Sequence, residues 1–295
     1  MSSSIVKKIL VTGASGFIGQ RLVQKLVETG LSVFAVSRKE GLVIPGATVL
    51  HGDISDSEFT KSIIGDVDTV YYLAGEKKNL SHHREYAGDF VMGNVSPLLS
   101  FLTALRGASV RKIVYLSSTQ TIGRDWETET DGYSIGKYMN ELLLRSFAAQ
   151  WNIELAIIRA PGVYGPGDNF DPATANFIPS MVHKVLSGNE VLDVWGGGKR
   201  EMQFVFVDDI AAMLASAGEG STQGTIVVGN PETFSVNDIA QEIISLSGKK
   251  MRIVNDMTKP DQPSQLFLFI NPIEPKISLQ DGLRKTIAYY HEHHA

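Results

Sequence analysis

Cysteine is absent from the 295-residue chain, so disulfides, thiolate nucleophiles and cysteine-ligated metals are excluded. Positive charge is also scarce, with 27 lysines and arginines against 32 aspartates and glutamates. The formal net charge of -5 leaves no basic excess to neutralise phosphates, so no nucleic-acid partner is expected. No apolar run approaches the roughly 20 residues of a membrane span. The opening residues, Met1 to Ser4, do not have the form of a secretory signal. A cytoplasmic protein without a membrane partner is the expectation.

What is present is alternation. Strand-like runs at Lys8–Thr12, Ser32–Ser37, Thr48–His51, Thr69–Leu73, Lys112–Ser117 and Glu154–Arg159 are separated by amphipathic stretches. Continuous apolar strands between helices read as βαβ units, and so as a parallel sheet covered on both faces. The expected fold class is α/β, a doubly wound Rossmann sheet over residues 1–160. A smaller substrate-binding lobe should occupy 161–295, where Pro161, Gly162, Gly165, Pro166 and Gly167 open a turn-rich region. The run Phe204–Asp209 reads as a strand turning into a helix, so the segment around 204–216 should return to the first domain.

Glycines stand at 13, 16 and 19, between the first strand and the first helix. Gly13 permits a tight turn, Gly16 lets the backbone approach a pyrophosphate, and Gly19 allows close helix–strand packing. The helix N-terminus behind them offers free amides to an anion. Gly13, Ser15, Gly16, Phe17, Ile18 and Gly19 are therefore candidates for a dinucleotide cradle. The second strand ends at Ser37 and Arg38, where NAD sites usually carry a carboxylate for the ribose hydroxyls. A guanidinium there suits a 2′-phosphate, which points to NADP(H), although Arg38 also reads as a solvated charge. Asp53 and Ile54 follow the third strand, where a carboxylate could meet the adenine amino group. Leu73, Ala74 and Gly75 close the fourth and leave room for the cofactor.

Tyr133 and Lys137 are four residues apart, hence on one helix face. A free phenol with a pKa of about 10 is a poor acid or base near neutrality, but a nearby cation favours its ionised form. Tyr133 is then a candidate to protonate a carbonyl oxygen. Ser118 ends the preceding strand, at the carboxyl edge where open α/β sheets bind ligands.

In order along the chain, the glycine loop, Gly52-Asp53, the run Tyr72 to Gly75, Ser117-Ser118, the Tyr133/Lys137 pair, the segment Arg159 to Gly167 and Phe206 to Asp209 resemble the extended short-chain dehydrogenase/reductase family over nearly its whole length. The resemblance implies that Ser118, Tyr133 and Lys137 form a catalytic triad. It further implies that Lys137 holds the nicotinamide ribose and that Asn94, at the cofactor site, completes the proton relay. Segments from Tyr164 to Phe170, Phe177 to Pro179 and Trp195 to Gly198 resemble sugar-nucleotide reductases of the GDP-fucose synthase type. They imply a nucleotide-sugar substrate with Gln120, Asn169, Asn176 and Arg200 as its candidate contacts. The family's helices at Phe90–Arg106 and Tyr133–Gln150 often pair in a dimer, so a homodimer is expected. Leu98, Leu99, Leu102, Leu142 and Leu143 are candidates for its apolar surface.

Departures from the pattern matter as much. The arginine expected before the late strand is replaced by Met202, with Lys199 and Arg200 two or three positions early. The epimerising cysteine and histidine fall on Gln120 and Asn176, and no carboxylate pair follows Ser118. An NADPH-dependent reductase of a nucleotide-linked 4-keto-6-deoxy sugar is the leading expectation. The alternatives are a 4-epimerase or dehydratase that retains NAD(P), and a non-catalytic NADP(H)-sensing protein. His82 and His83, in a polar loop, and His291, His293 and His294, in the tail, read as solvated side chains. No metal site is expected.

Overall fold

The computed structural model describes residues 7–77, 80–260, 264 and 276–294, with 80–82 described in backbone only. The stretch 261–275, apart from Ser264, and the side chain of His82 lie outside the described residues, as do Met1 to Ser4.

In chain order the elements are β1 (Lys8–Thr12), α1 (Phe17–Glu28), β2 (Ser32–Ser37), β3 (Thr48–His51), α2 (Ser57–Ile64), β4 (Val67–Tyr72), α3 (Leu80–Glu85), α4 (Ala87–Ala104), β5 (Lys112–Ser118), α5 (Gly132–Trp151) and β6 (Glu154–Ala160). There follow β7 (Gly162–Tyr164), α6 (Phe177–Ser187), β8 (Val191–Trp195), β9 (Glu201–Met202), β10 (Phe204–Phe206), α7 (Val207–Glu219) and β11 (Gly224–Val227). The last are β12 (Phe234–Ser235), α8 (Val236–Ser247), β13 (Arg252–Asp256) and α9 (Leu279–His294).

The chain divides into two compact units. The first runs up to Arg159 and takes back Ile210–Ile226; the second comprises Ala160–Asp209 and the chain from Val227 onward. The returning segment thus begins later than the sequence suggests, and β10 belongs to the second unit. The reason is local: Phe204, Val205 and Phe206 pair in parallel with Gly162, Val163 and Tyr164 of β7.

In the first unit a seven-stranded sheet has the order β11-β6-β5-β4-β1-β2-β3. The pairings β3–β2, β2–β1, β1–β4 and β4–β5 are parallel. The order reverses beside β1, so β1 and β4 flank the switch point where such sheets bind ligands at their carboxyl ends. One apolar cluster joins Leu10, Val70, Ile113 and Ile157 of the strands to Leu98, Phe101, Leu102 and Leu144 of the helices. Each such side chain stabilises the fold by about 1.5–3 kcal/mol on burial. Leu98 and Leu102 are therefore core residues of this chain, and Leu143 packs against the same cluster, so none of the three is available to a partner. Leu99 and Leu142 remain about half exposed.

The second unit is built from two-stranded pieces, β10–β7, β12–β9 and β13–β8, with α6, α8 and α9. Ser235 and Asp238 cap the start of α8 reciprocally, each satisfying an amide of the other's turn. No described helix is long and apolar enough to cross a membrane.

Candidate active site

The loop after β1 is shaped by what glycine lacks. Gly13 has φ +68°, and a Cβ there would lie 2.9 Å from the backbone of Leu73 and Ala74. At Gly19 a Cβ would sit 2.2 Å from the Gly13 carbonyl oxygen, so helix α1 can approach the turn only without one. The Thr12 hydroxyl accepts hydrogen bonds from the amides of Leu73 and Ala74, both at 3.2 Å, tying the carboxyl ends of β1 and β4. These three features leave a tight turn facing the N-terminus of α1. A dinucleotide pyrophosphate fits such a cradle, because amides and the helix dipole both favour an anion there.

At the end of β2 the buried Ser37 hydroxyl accepts from the Lys39 amide at 2.9 Å. Arg38 is exposed, with its guanidinium 3.7 Å from the Asp53 carboxylate. Asp53 is held below the usual carboxylate range, first by the Ser55 amide at 2.8 Å and further by Arg38. Ile54 is buried in the core.

Gly75 continues the loop beyond β4. A Cβ there would meet Asn94 Oδ1 at 2.7 Å and Lys137 Nζ at 3.8 Å. Asn94 accepts the Glu76 amide at 3.1 Å and donates to the Phe90 carbonyl at 2.9 Å, so its amide braces this loop on α4. Its own carbonyl takes a hydrogen bond from Asn140 of α5 at 3.1 Å.

Helix α5 carries Tyr133 and Lys137, both buried. Lys137 Nζ donates to the Leu116 carbonyl of β5 at 2.8 Å and lies 5.9 Å from the centre of the Tyr133 ring. Burial pushes the Lys137 ammonium below its ordinary range, partly offset by Tyr133 and Glu141. Ser118 ends β5 and accepts the Gln120 amide at 3.2 Å, while the Gln120 side-chain oxygen lies 3.4 Å from the Ser134 hydroxyl, which donates to Asp131. The turn holding Ser118 thereby lies against the first turn of α5.

A buried carboxylate fixes the same junction from below. Glu141 is fully buried and receives Ser117 Oγ at 2.6 Å, Arg159 at 2.9 and 2.6 Å, and Arg145 at 2.8 Å. The two-pronged pairing with Arg159 compensates the cost of burying the charge.

A family model described as the NAD dependent epimerase/dehydratase family matches residues 9–229, three quarters of the chain. The chain belongs to that family. Among curated relatives, dTDP-4-dehydro-6-deoxy-D-allose reductase of Streptomyces bikiniensis is 26% identical, covering 97% of this chain and 97% of that protein. GDP-L-fucose synthase of Escherichia coli is 24% identical, again covering 97% of each. Among solved structures, UDP-glucose 4-epimerase of Thermotoga maritima superimposes with a TM-score of 0.81 at 24% identity, covering 97% of this chain and 99% of that one. An enzyme of Bordetella bronchiseptica in complex with NADH gives a TM-score of 0.84 at 24% identity, covering 97% and 92%. The last two likenesses concern the Rossmann fold.

This family member departs from the sequence reading at several residues. His83 does not sit in a solvated loop. It lies on α3, only 2% exposed, with its ring stacked on that of Tyr133 at 4.9 Å. Lys77 Nζ, in the loop after β4, lies 5.6 Å from the Tyr133 ring centre. Neither contact has a spacing signal, because both residues reach the tyrosine from a different element.

In the second unit, Asn169 is exposed and spends both ends of its amide within its own loop, on Thr174 at 2.9 Å and on the Asp171 amide at 3.0 Å. The structure thus gives Asn169 a bracing role. Asn176 is the N-cap of α6, but its side chain makes no capping bond. Met202 is buried, whereas Arg200 Nε is buried with no hydrogen-bond partner among the described residues. Burial alone holds the Arg200 guanidinium below its ordinary range. His291, His293 and His294 are exposed on α9, and no group of metal-binding side chains is found among the described residues.

Proposed function

We propose that the protein is an NADPH-dependent reductase of a nucleotide-linked 4-keto-6-deoxy sugar. The observation that carries the reading is the placement of Tyr133 and Lys137, buried together on α5, with Gly75 packed without a Cβ between Asn94 and Lys137. Two relatives whose names describe reductase or synthase chemistry on nucleotide-linked deoxy sugars support the substrate class.

NADP(H), when bound, supplies the hydride. Gly13, Ser15, Gly16, Phe17, Ile18 and Gly19 would hold its pyrophosphate, Arg38 its 2′-phosphate, Asp53 and Ile54 its adenine end, and Leu73, Ala74, Gly75 and Lys137 its nicotinamide ribose. Tyr133 gives its phenolic proton to the substrate's carbonyl oxygen, and the Lys137 cation stabilises the phenolate left behind. Ser118 offers its hydroxyl to the same oxygen. Asn94 acts by holding the loop at Gly75 rather than by touching the substrate. Gln120 and Asn176 carry amides that hydrogen-bond sugar hydroxyls but do not titrate. Arg200, half-buried with its Nε lacking a hydrogen-bond partner among the described residues, suits a diphosphate.

The test is a panel of nucleotide-linked 4-keto-6-deoxy hexoses incubated with the protein and NADPH. Stoichiometric loss of NADPH absorbance with appearance of the alcohol is expected. Interconversion of C4 epimers without net NADPH consumption would replace this reading by the epimerase one.

Assembly belongs to the same proposal. Met92 and Leu99 on α4 and Met139 and Leu142 on α5 are 39–59% exposed, an apolar set on two helices that pack together. A homodimer through these helices is expected, and light scattering at the 32.2 kDa monomer mass would refute it.

A further inference from the structure

His83 is placed against Tyr133 by more than packing. Its ring is nearly parallel to the phenol, 4.9 Å between centres and tilted by 16°. Phe90 of α4 closes another side edge-on at 4.7 Å. The imidazole Nδ1 lies 3.5 Å from Asp131 Oδ1, and Asp131 is fully buried. The other oxygen of Asp131 accepts the hydroxyl of Ser134. A histidine that merely filled space would need no buried carboxylate behind it, since burying a carboxylate costs several kcal/mol unless it is compensated. An imidazole that carries a proton beside this carboxylate would put positive charge on the face of the phenol, and a cation on an aromatic face favours negative charge on that ring.

We propose that His83, held by Asp131, is a positioning residue for Tyr133: it fixes the plane of the phenol and biases the phenol towards releasing its proton. The proposal rests on Tyr133 being the proton donor. The other ionisable groups facing the phenol are Lys77 from the loop after β4, Lys137 from α5 and Tyr115 from β5. Around His83 they are Asp131 and Tyr133, with Arg84 and Glu85 on its own helix.

The sign of the effect follows directly. Carbonyl reduction uses the protonated phenol, so kcat/KM for reduction falls as pH rises through the phenol's titration. An imidazolium that favours the phenolate moves this fall to lower pH, and its removal moves it to higher pH.

The experiment uses the full chain, its His83→Phe and Asp131→Asn variants, and Tyr133→Phe as the spectroscopic blank. His83→Phe keeps an aromatic ring on the phenol and removes the charge. Phenolate absorbance is titrated against the blank without substrate, and the pH profile of kcat/KM is recorded for reduction. The midpoint should rise by about half to one pH unit in His83→Phe and by less in Asp131→Asn, while NADPH affinity stays within about twofold. An unchanged midpoint in a variant that still binds NADPH would overturn the proposal. Should His83→Phe fail to fold by circular dichroism, Asp131→Asn decides in the same way. The wild type offers a check without substitution, since its His83 ring resonances should show a second step as Tyr133 ionises. A single step overturns the proposal. Undiminished turnover in Tyr133→Phe would instead sink the assignment of the proton donor, a failure that leaves the absorbance titration still informative about His83.

Discussion

The two units solve their local problems with different materials. In the first, the decisive positions are set by backbone: glycines that exclude a Cβ, a threonine that clamps two strand ends, and a lysine bonded to the Leu116 carbonyl. In the second, the candidate contacts depend on what a few polar side chains do at loop and helix ends, and similar amides diverge. Asn169 is consumed by its own loop, while Asn176 caps α6 without using its side chain. Backbone sterics leave a mark on sequence because only one residue type fits. Side-chain allocation leaves none, because an asparagine in a bracing role reads like one in a binding role.

If that contrast is right, substitutions in the first unit should act on the chemical step and those in the second on substrate affinity. Tyr133→Phe should reduce kcat by a factor of about a hundred to ten thousand, the usual contribution of a positioned proton donor. NADPH titration of the same variant should remain near wild type, because the ring and its stack with His83 are kept. Arg200→Ala is the counterpart in the second unit. Loss of a charge-assisted contact worth about 1.5–3 kcal/mol should raise KM by roughly tenfold to a hundredfold while kcat changes little. A fall in kcat with constant KM would erase the distinction between the units.

A smaller effect is expected at the rim of the cofactor site. Arg38 is 81% exposed, so solvent and salt screen its charge. Arg38→Ala should lower the preference for NADPH over NADH by about tenfold, the cost of roughly one charge-assisted hydrogen bond at a wet surface. Fluorescence titration of both cofactors measures it. Equal affinities in the wild type would show that Asp53, 3.7 Å away, governs the site instead.

Legibility followed the same division. The strand–glycine loop–helix start, the face shared by Tyr133 and Lys137, and the ends of β1 to β3 were readable because each is a local pattern with a steric or periodic cause. Strand β11 was not, since Gly224–Val227 is four residues with no alternation, and its place beside β6 is a tertiary fact. Nor were the leucines of α4 separable by type: Leu98 faces the sheet and Leu99 faces solvent. His83 was misread for the same reason. Two adjacent histidines among polar residues suggest a surface, yet the turn of α3 carries one of them onto Tyr133.

The smallest expected effect is a null one, and it tests the chemistry most closely. Reduction at C4 needs one proton and one hydride, whereas inversion at C3 or C5 needs further groups to remove and return a carbon-bound proton. At the two positions where the resemblance puts those groups, this chain has Gln120 and Asn176, and neither amide titrates near neutrality. The structure adds that the Gln120 side-chain oxygen lies 3.4 Å from the Ser134 hydroxyl on the first turn of α5. Lys77 approaches Tyr133 from the neighbouring loop and is, with Glu76, a candidate substitute base. Turnover in heavy water with NADPH and a nucleotide-linked 4-keto-6-deoxy hexose should therefore give a product without enzyme-dependent deuterium at C3 or C5 by NMR. Deuterium there, above the exchange seen without enzyme, would show that carbon acid–base chemistry survives. Its loss in Lys77→Met would then assign it to the loop after β4.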